Sequence, residues 1–166
     1  MELSARSRYA VKILLELALC GVESRMSASV LSRHLGVSTQ FAEQILKPLK
    51  KNGLINSARG AAGGYSLARG PKAISLGDVV RVMEDGINFT VCYGERVNDC
   101  PQVEQCPSLC AWEQIGRDLE TALDSVTLNM LLRDKRSCPA GMRDASAPEA
   151  EMLSPLHAEG NVSKSD

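Results

Sequence analysis

Apolar residues recur along this chain in short helical bursts punctuated by glycine and serine. Behind Ser4, a residue suited to capping a helix, Ala10, Ile13, Leu14, Leu17 and Ala18 follow a 3.6-residue period as far as Gly21. Leu15 and Leu19 widen that stripe, so the first helix is expected to be packed on more than one side and to be central. Ser27 or Ser29 opens a short second helix with Val30, Leu31 and Leu35 inward, stopped at Gly36. Ser38 then caps a third, with Phe41, Ile45 and Leu49 inward, and the Gly-Val-Ser junction predicts a helix-turn-helix. Pro48 predicts a kink or an early end to the third helix, because it removes an amide donor and crowds the carbonyl of Gln44.

The period changes after the third helix. Residues Leu54 to Ala58 read as one strand and Tyr65-Ser66-Leu67 as its return, around a loop containing Gly60, Gly63 and Gly64; together they predict a β-wing. Pro71 closes the wing, and Ser75 caps a helix reaching Gly86, with Leu76, Val79, Val80 and Met83 inward. Further on, Trp112, Ile115, Leu119, Ala122, Val126 and Met130 form a narrow helical seam of the kind that pairs with another helix. Thr127 is expected to cap a final short helix over 128–132. Beyond Arg133 the chain is rich in Pro, Ala, Ser and acidic residues without a period.

The expected fold is therefore mainly α with a small β-wing. It comprises a winged helix-turn-helix head (1–72), a connecting helix and loop (73–91), a cysteine-rich loop (92–111), a dimerisation helix with a short final helix (112–133) and a disordered tail (134–166).

Charge sharpens this picture. The 166 residues carry a net charge of −1, yet residues 1–72 hold eleven Lys and Arg against four Glu, a net of +7, leaving −8 for the remainder. A basic half in a near-neutral protein fits a polyanion, since each neutralised phosphate releases counterions; a merely solvated basic face is the alternative. Thr39, Gln40, Glu43, Gln44, Lys47, Lys50 and Lys51 face outward on the third helix, with Ser38 at its exposed start. An amide pairs with adenine, a carboxylate accepts from cytosine, and lysines neutralise phosphate. Alternatively, Glu43 and Lys47 form a surface ion pair contributing only about 0.3–0.5 kcal/mol. At the wing, Gly60, Gly63 and Gly64 allow backbone approach ahead of Tyr65, and Arg59 suits a narrow minor groove. The loop lacks G-x-x-x-x-G-K-S/T and leads into a strand, which argues against a nucleotide site.

The cysteines supply the remaining chemistry. With no apolar run of about 18–20 residues and no signal-peptide core, the protein is expected to be cytoplasmic, where clustered cysteines point to metal or redox chemistry rather than structural disulfides. Cys92, Cys100, Cys106 and Cys110 lie in a C-x7-C-x5-C-x3-C arrangement at the joint between the head and the seam helix. Cys20 reads as core packing, and Cys138 as a free thiol. Four thiolates suit a bound metal; zinc is one candidate, although the spacings differ from the paired C-x2-C knuckles of most zinc sites, and disulfide-based redox sensing is an alternative. His34 and His157 have no evident catalytic partner, and C-x-x-C and G-x-S-x-G are absent, so no enzymatic role is expected.

Several stretches together resemble one family. S-R-Y-A-V from Ser7 to Val11, E-Q-I-L-x-x-L-K-K-N-G-L from Glu43 to Leu54, R-G-x-x-G-G-Y from Arg59 to Tyr65, and cysteines ahead of a Trp-bearing helix are similar to the Rrf2 family of winged-helix regulators, over about residues 1–133. The resemblance implies a homodimer with crossed C-terminal helices, one head per protomer on double-stranded operator DNA, and an iron–sulfur cluster near the dimer interface. By position, Cys92, Cys100 and Cys106 match the cysteine ligands, Glu43 a residue influencing operator choice, Arg59 the minor-groove arginine, and Gln40 another base-facing position. The chain departs from close relatives in a longer spacing before Cys100, and in Leu109 where they place a histidine ligand. Arg8 also stands where some nitric-oxide-sensing members supply a carboxylate. Cys110, about one helical turn from Cys106, is the candidate fourth ligand, and 2Fe–2S and 4Fe–4S both remain open. The expectation is a repressor whose operator binding is controlled by a cluster sensing iron, redox state or nitric oxide. The alternatives are a thiol-redox or zinc-stabilised regulator, or one that acts by binding a partner protein.

Overall fold

The computed structural model describes residues 3–21, 24–60, 63–84, 86–87, 90 and 92–133. In chain order they form α1 (Ala5–Cys20), α2 (Ala28–Leu35), α3 (Thr39–Lys51), the hairpin β1 (Ile55–Ala58) and β2 (Gly64–Leu67), α4 (Leu76–Met83), α5 (Leu109–Ser125) and α6 (Leu128–Arg133). Short 3-10 turns occupy Pro71–Ala73, Gly94–Asp99 and Val103–Gln105. This is the expected fold class, helical with one two-stranded wing. The stretch 134–166, with Cys138 and His157, lies outside the described residues.

Serine chemistry starts four of the helices. The hydroxyls of Ser4, Ser27, Ser38 and Ser75 accept from the amides of Ser7, Val30, Phe41 and Asp78, each satisfying a donor that has no partner within its helix. Asp78 returns the favour to the Ser75 amide, completing a capping box. Gly36 ends α2 at φ +64°, a left-handed position that lets the chain turn directly into α3.

The core is built on α1, whose Ala10, Ile13, Leu14 and Leu17 are buried. It packs against α2, α3, α4, α6 and β2. From α3 come Ile45, Leu46 and Leu49, joined by Leu31, Leu54, Ile55, Ile74, Val79 and Leu128. Burying a Leu or Ile side chain stabilises a fold by roughly 1.5–3 kcal/mol, so this cluster fixes the orientation of α3 relative to the wing. Tyr9 and Phe41 add an edge-to-face contact between α1 and α3 at 5.4 Å. The hydroxyls of Ser32 and Thr39, 3.1 Å apart, link α2 to α3.

Several local expectations are corrected. Helix α3 does not stop at Pro48 but continues to Lys51; the amide and side-chain nitrogen of Asn52 both donate to the Pro48 carbonyl at 3.0 Å and close the last turn. Helix α4 ends at Met83, capped by Glu84, short of Gly86. Cys20, read as core, is exposed, because the last turn of α1 runs beyond its packing partners and leaves Leu19 exposed with it. The core stripe of α3 is also broader than its period indicated, with Ala42 and Leu46 buried. On the seam, Trp112, Ile115 and Met130 are exposed in the single chain, whereas Leu119 and Val126 are half-buried.

A polar tie joins α1 to α4. Glu84 Oε1 accepts from the Ser4 amide at 2.9 Å and from the Ser7 hydroxyl. Burial opposes its charge, but the hydrogen bonds from Ser7 and Ser4 outweigh that cost and hold the Glu84 carboxyl below its ordinary value of 4.5. The stability this gives is fully present above that ordinary value and is lost as pH falls through the lower folded value. Glu84→Gln should therefore remove an acid-sensitive component: its urea midpoint should fall less steeply than that of the wild type between about pH 5 and 3. Equal slopes would show that the tie contributes nothing.

Candidate nucleic-acid interface and cysteine-rich loop

Packing one face of α3 against α1 presents the other to solvent. Ser38, Thr39, Gln40, Glu43, Gln44, Lys47, Lys50 and Lys51 are all exposed, as their outward assignment anticipated. Among the described residues no ion pair joins Glu43 to Lys47, and none neutralises Lys50, Lys51 or Arg59. The α3 amides and carboxylate are thus free to meet base edges, with three ammonium groups beside them. The Ser38 and Thr39 hydroxyls are engaged locally, with the Phe41 amide and with Ser32.

The wing stands beside this face. Ile55 pairs with Leu67, Asn56 with Ser66, Ser57 with Tyr65 and Ala58 with Gly64 in an antiparallel ladder. Sequence reading missed a third edge: Met26 exchanges hydrogen bonds with Tyr65, 3.0 Å from its amide and 2.8 Å to its carbonyl, making a one-residue bridge. Gly64 is required at that crossing, because φ is +147° and a Cβ would lie 2.8 Å from the Met26 carbonyl oxygen. Arg59 and Gly60 are exposed, while Gly63, Gly64 and Tyr65 are half-buried. Between the start of α2, Lys50 on α3 and the wing from Ser57 to Tyr65 lies a recess of about 390 Å³. Lys50 and Arg59 both line it, so two cations and exposed backbone face the same recess.

The cysteine-rich loop is held by backbone turns rather than by a hydrophobic core. The Cys92 amide donates to the Thr90 hydroxyl at 3.3 Å, Cys100 closes the first 3-10 turn onto Val97, and Leu109 donates to the Cys106 carbonyl at 3.3 Å. Cys92, Cys100 and Cys106 are half-buried, and Cys110 is exposed in the first turn of α5, which begins at Leu109, ahead of the expected boundary. None of these four thiols is in a disulfide. A hydrogen bond from the Ser108 hydroxyl, 3.3 Å from Cys106 Sγ, with further ones from the Ser108 and Leu109 amides, holds the Cys106 thiol below its ordinary value. These bonds stabilise the thiolate relative to that of a free cysteine.

As donors these residues suit a soft metal centre, being four thiols outside any disulfide, of which Cys106 has its thiolate form stabilised by hydrogen bonds. Among the described residues, however, no three Cys, His, Asp or Glu side chains converge to metal-binding distance. His34 pairs with Glu16 at 2.9 Å on the surface of the head.

Tyr93 and an arginine clamp, neither singled out from the sequence, connect the loop to α5 and α5 to α4. Arg81 of α4 donates to Asp124 of α5 through two bonds of 2.7 Å and to Glu120 at 3.3 Å. Burial and a hydrogen bond to Glu120 push the Tyr93 phenol up.

Comparison with known proteins places this geometry. The Rrf2 family, described as an iron-dependent transcriptional regulator, matches residues 3–134. Protein rrf2 of Nitratidesulfovibrio vulgaris is 34% identical over 139 residues, covering 84% of this chain and 92% of that protein. Among solved structures, CymR, the global cysteine regulator of B. subtilis, matches with a TM-score of 0.64 at 32% identity, covering 80% of this chain and 97% of that one. T. potens IscR matches with a TM-score of 0.63 at 32% identity, covering 81% and 88%.

Proposed function

This chain belongs to the Rrf2 family of transcriptional regulators, and on that premise we propose that it is a cytoplasmic, homodimeric repressor whose operator affinity is set by an iron–sulfur cluster held in the loop before α5. As a transcriptional regulator it is not an enzyme, and no helix among its described residues is long and apolar enough to cross a membrane. The observation that carries the reading is the exposed face of α3, whose lysines form no ion pair among the described residues, beside a wing that presents Arg59.

In this reading Gln40 and Glu43 read base edges in the major groove, and Ser38 and Thr39 set the approach of the first turn of α3. Lys47, Lys50 and Lys51 neutralise phosphates. Gly60, Gly63 and Gly64 bring the wing backbone near the duplex, flanked by Tyr65, and Arg59 enters the minor groove. Cys92, Cys100 and Cys106 hold the cluster with Cys110 as the fourth thiolate, in a 2Fe–2S or 4Fe–4S form. The cluster would supply a centre labile to iron loss, oxidation or nitric oxide; the chain supplies thiolates, a turn-built loop and its connection to the head. Dimerisation is supported by an almost wholly apolar groove of about 440 Å³ lined by residues including Leu3, Val11, Leu76, Val80, Leu123 and Leu131. Ile115 and Met130, 47% and 46% exposed, offer further apolar surface.

A second reading keeps the DNA face and dispenses with the cluster. It is favoured by the thiols outside any disulfide, by the lowered Cys106 thiol and by the likeness to CymR, the global cysteine regulator. There the thiols themselves are the sensor, or bind zinc.

Iron, sulfide and zinc content and the visible spectrum of protein purified without oxygen decide between these. Near-equal iron and sulfide with charge-transfer absorption is expected, and Cys92→Ala, Cys100→Ala or Cys106→Ala should abolish the chromophore while leaving a folded dimer. Zinc alone, or a peroxide response that survives removal of iron, would transfer the cysteines to the second reading. Arg59→Ala should weaken binding to duplex selected from a random library and lower the slope of log K against log salt by about 0.9 for one lost phosphate contact. Unchanged affinity across salt concentrations would remove Arg59 from the interface.

A further inference from the structure

One series of contacts runs from the cysteine-rich loop to the joint between α5 and the head. Tyr93 directly follows Cys92, and its ring lies on the backbone of α5 at Gly116, so close that a Cβ there would fall 2.3–2.5 Å from the ring carbons. Glu120, about one turn further along α5, is near enough to the phenol to push it up. Glu120 accepts from Arg81, and the same guanidinium grips both oxygens of Asp124. Asp124 also accepts from the Ser75 hydroxyl at 3.3 Å and lies over Gly77, where a Cβ would meet its Oδ1 at 1.9 Å. Beside these groups the chain closes an isolated bridge between Ser75 and Thr127: the Leu76 amide donates to Val126 at 2.8 Å and the Leu128 amide to Ile74 at 2.9 Å.

We propose that Tyr93, Glu120, Arg81 and Asp124 form the link through which a change in the cysteine-rich loop alters the bridge holding α5 and α6 to the DNA-binding head. The loop's cysteines are held by local turns, whereas Tyr93 is seated on α5 by a glycine that leaves room for its ring. The fork of Arg81 fixes direction as well as attraction, because a bidentate guanidinium–carboxylate pair holds one mutual orientation. Arg81 is 37% exposed, so solvent screens the pair, and it acts as a breakable connection rather than as a main support of the fold. Displacing Tyr93 releases Glu120, which shifts the sharing of Arg81 and, through Asp124 and Ser75, the start of α4. The link rests on the proposed function only in assuming that the loop changes state; the nature of the group on the thiols is immaterial.

The test needs neither DNA nor cluster. The full chain, stripped of metal with a chelator, is alkylated at its thiols with iodoacetamide, and hydrogen exchange of the Leu76 and Leu128 amides is compared with that of the untreated chain. Alkylation should accelerate both amides several-fold in the wild type. In Tyr93→Phe, which keeps the ring on Gly116 but deletes the hydroxyl, and in Arg81→Met, alkylated and untreated chains should exchange alike at these amides, while Arg81→Lys retains part of the response. Cys20 and Cys138, which lie outside the loop, are replaced by Ser in every chain compared, so that alkylation reports on the loop cysteines alone. No acceleration in the wild type, or the same acceleration in both variants, would overturn the proposal. Such an outcome would leave cluster content and operator binding untouched, just as absence of a cluster would leave this link standing.

Discussion

Everything in this chain is oriented by the burial of one helix. The stripe Ala10, Ile13, Leu14 and Leu17 of α1 is enclosed by α2, α3, α4, α6 and β2, which come from both ends of the sequence. A helix enclosed in this way leaves its neighbours little freedom: α3 must turn Ile45, Leu46 and Leu49 toward it, and the helical period then sends Gln40, Glu43, Lys47 and Lys50 outward. Close packing makes the consequence rigid, since a rotation of α3 would open a void beneath those leucines. The exposed face of α3 is held in place from behind, by buried apolar side chains.

That arrangement also explains why a nearly neutral protein presents a basic surface. Acidic residues of the C-terminal half are drawn into contacts of their own, with Glu120 and Asp124 on Arg81, while the exposed lysines of α3 form no ion pair among the described residues. Unpaired surface charges cost a fold little, because water and salt screen them, whereas a polyanion meeting them gains counterion entropy. Charge segregation along the sequence thus becomes charge segregation in space.

Local rules made most of the fold legible. Ser4, Ser27, Ser38 and Ser75 announced helices because a hydroxyl can satisfy a free amide within its own turn, and Gly60, Gly63 and Gly64 announced the wing because a tight return needs them. Long-range consequences were not legible. Met26 joins the wing through two backbone bonds, and one extended residue has no period to read. The Arg81 clamp spans some forty residues of chain, and among many charges nothing marks which will meet. Cys20 looked buried because it ends an apolar run, but burial depends on where neighbouring helices stop. At the candidate sites the outward side of α3 followed from periodicity, whereas the spatial relation of the cysteines depends on loop turns that spacing alone does not fix.

The two halves of the molecule therefore differ in how they are held, and the difference suits a regulator. The head is secured by apolar packing, which is insensitive to small chemical changes and lost only cooperatively. The cysteine-rich loop is secured by 3-10 turns and half-exposed thiols, with few buried apolar contacts of its own. A modest change in free energy at the thiols can rearrange such a loop without unfolding the core. Whether that rearrangement reaches DNA depends on a contact with both a seat and a direction, and Tyr93 on Gly116, passing to Glu120 and the fork of Arg81, has both. A link much stronger than the loop would lock it, and one much weaker would be lost to solvent. Partly exposed ionic hydrogen bonds, each contributing on the order of 1 kcal/mol or less, lie in the range where occupancy can shift with the state of the loop.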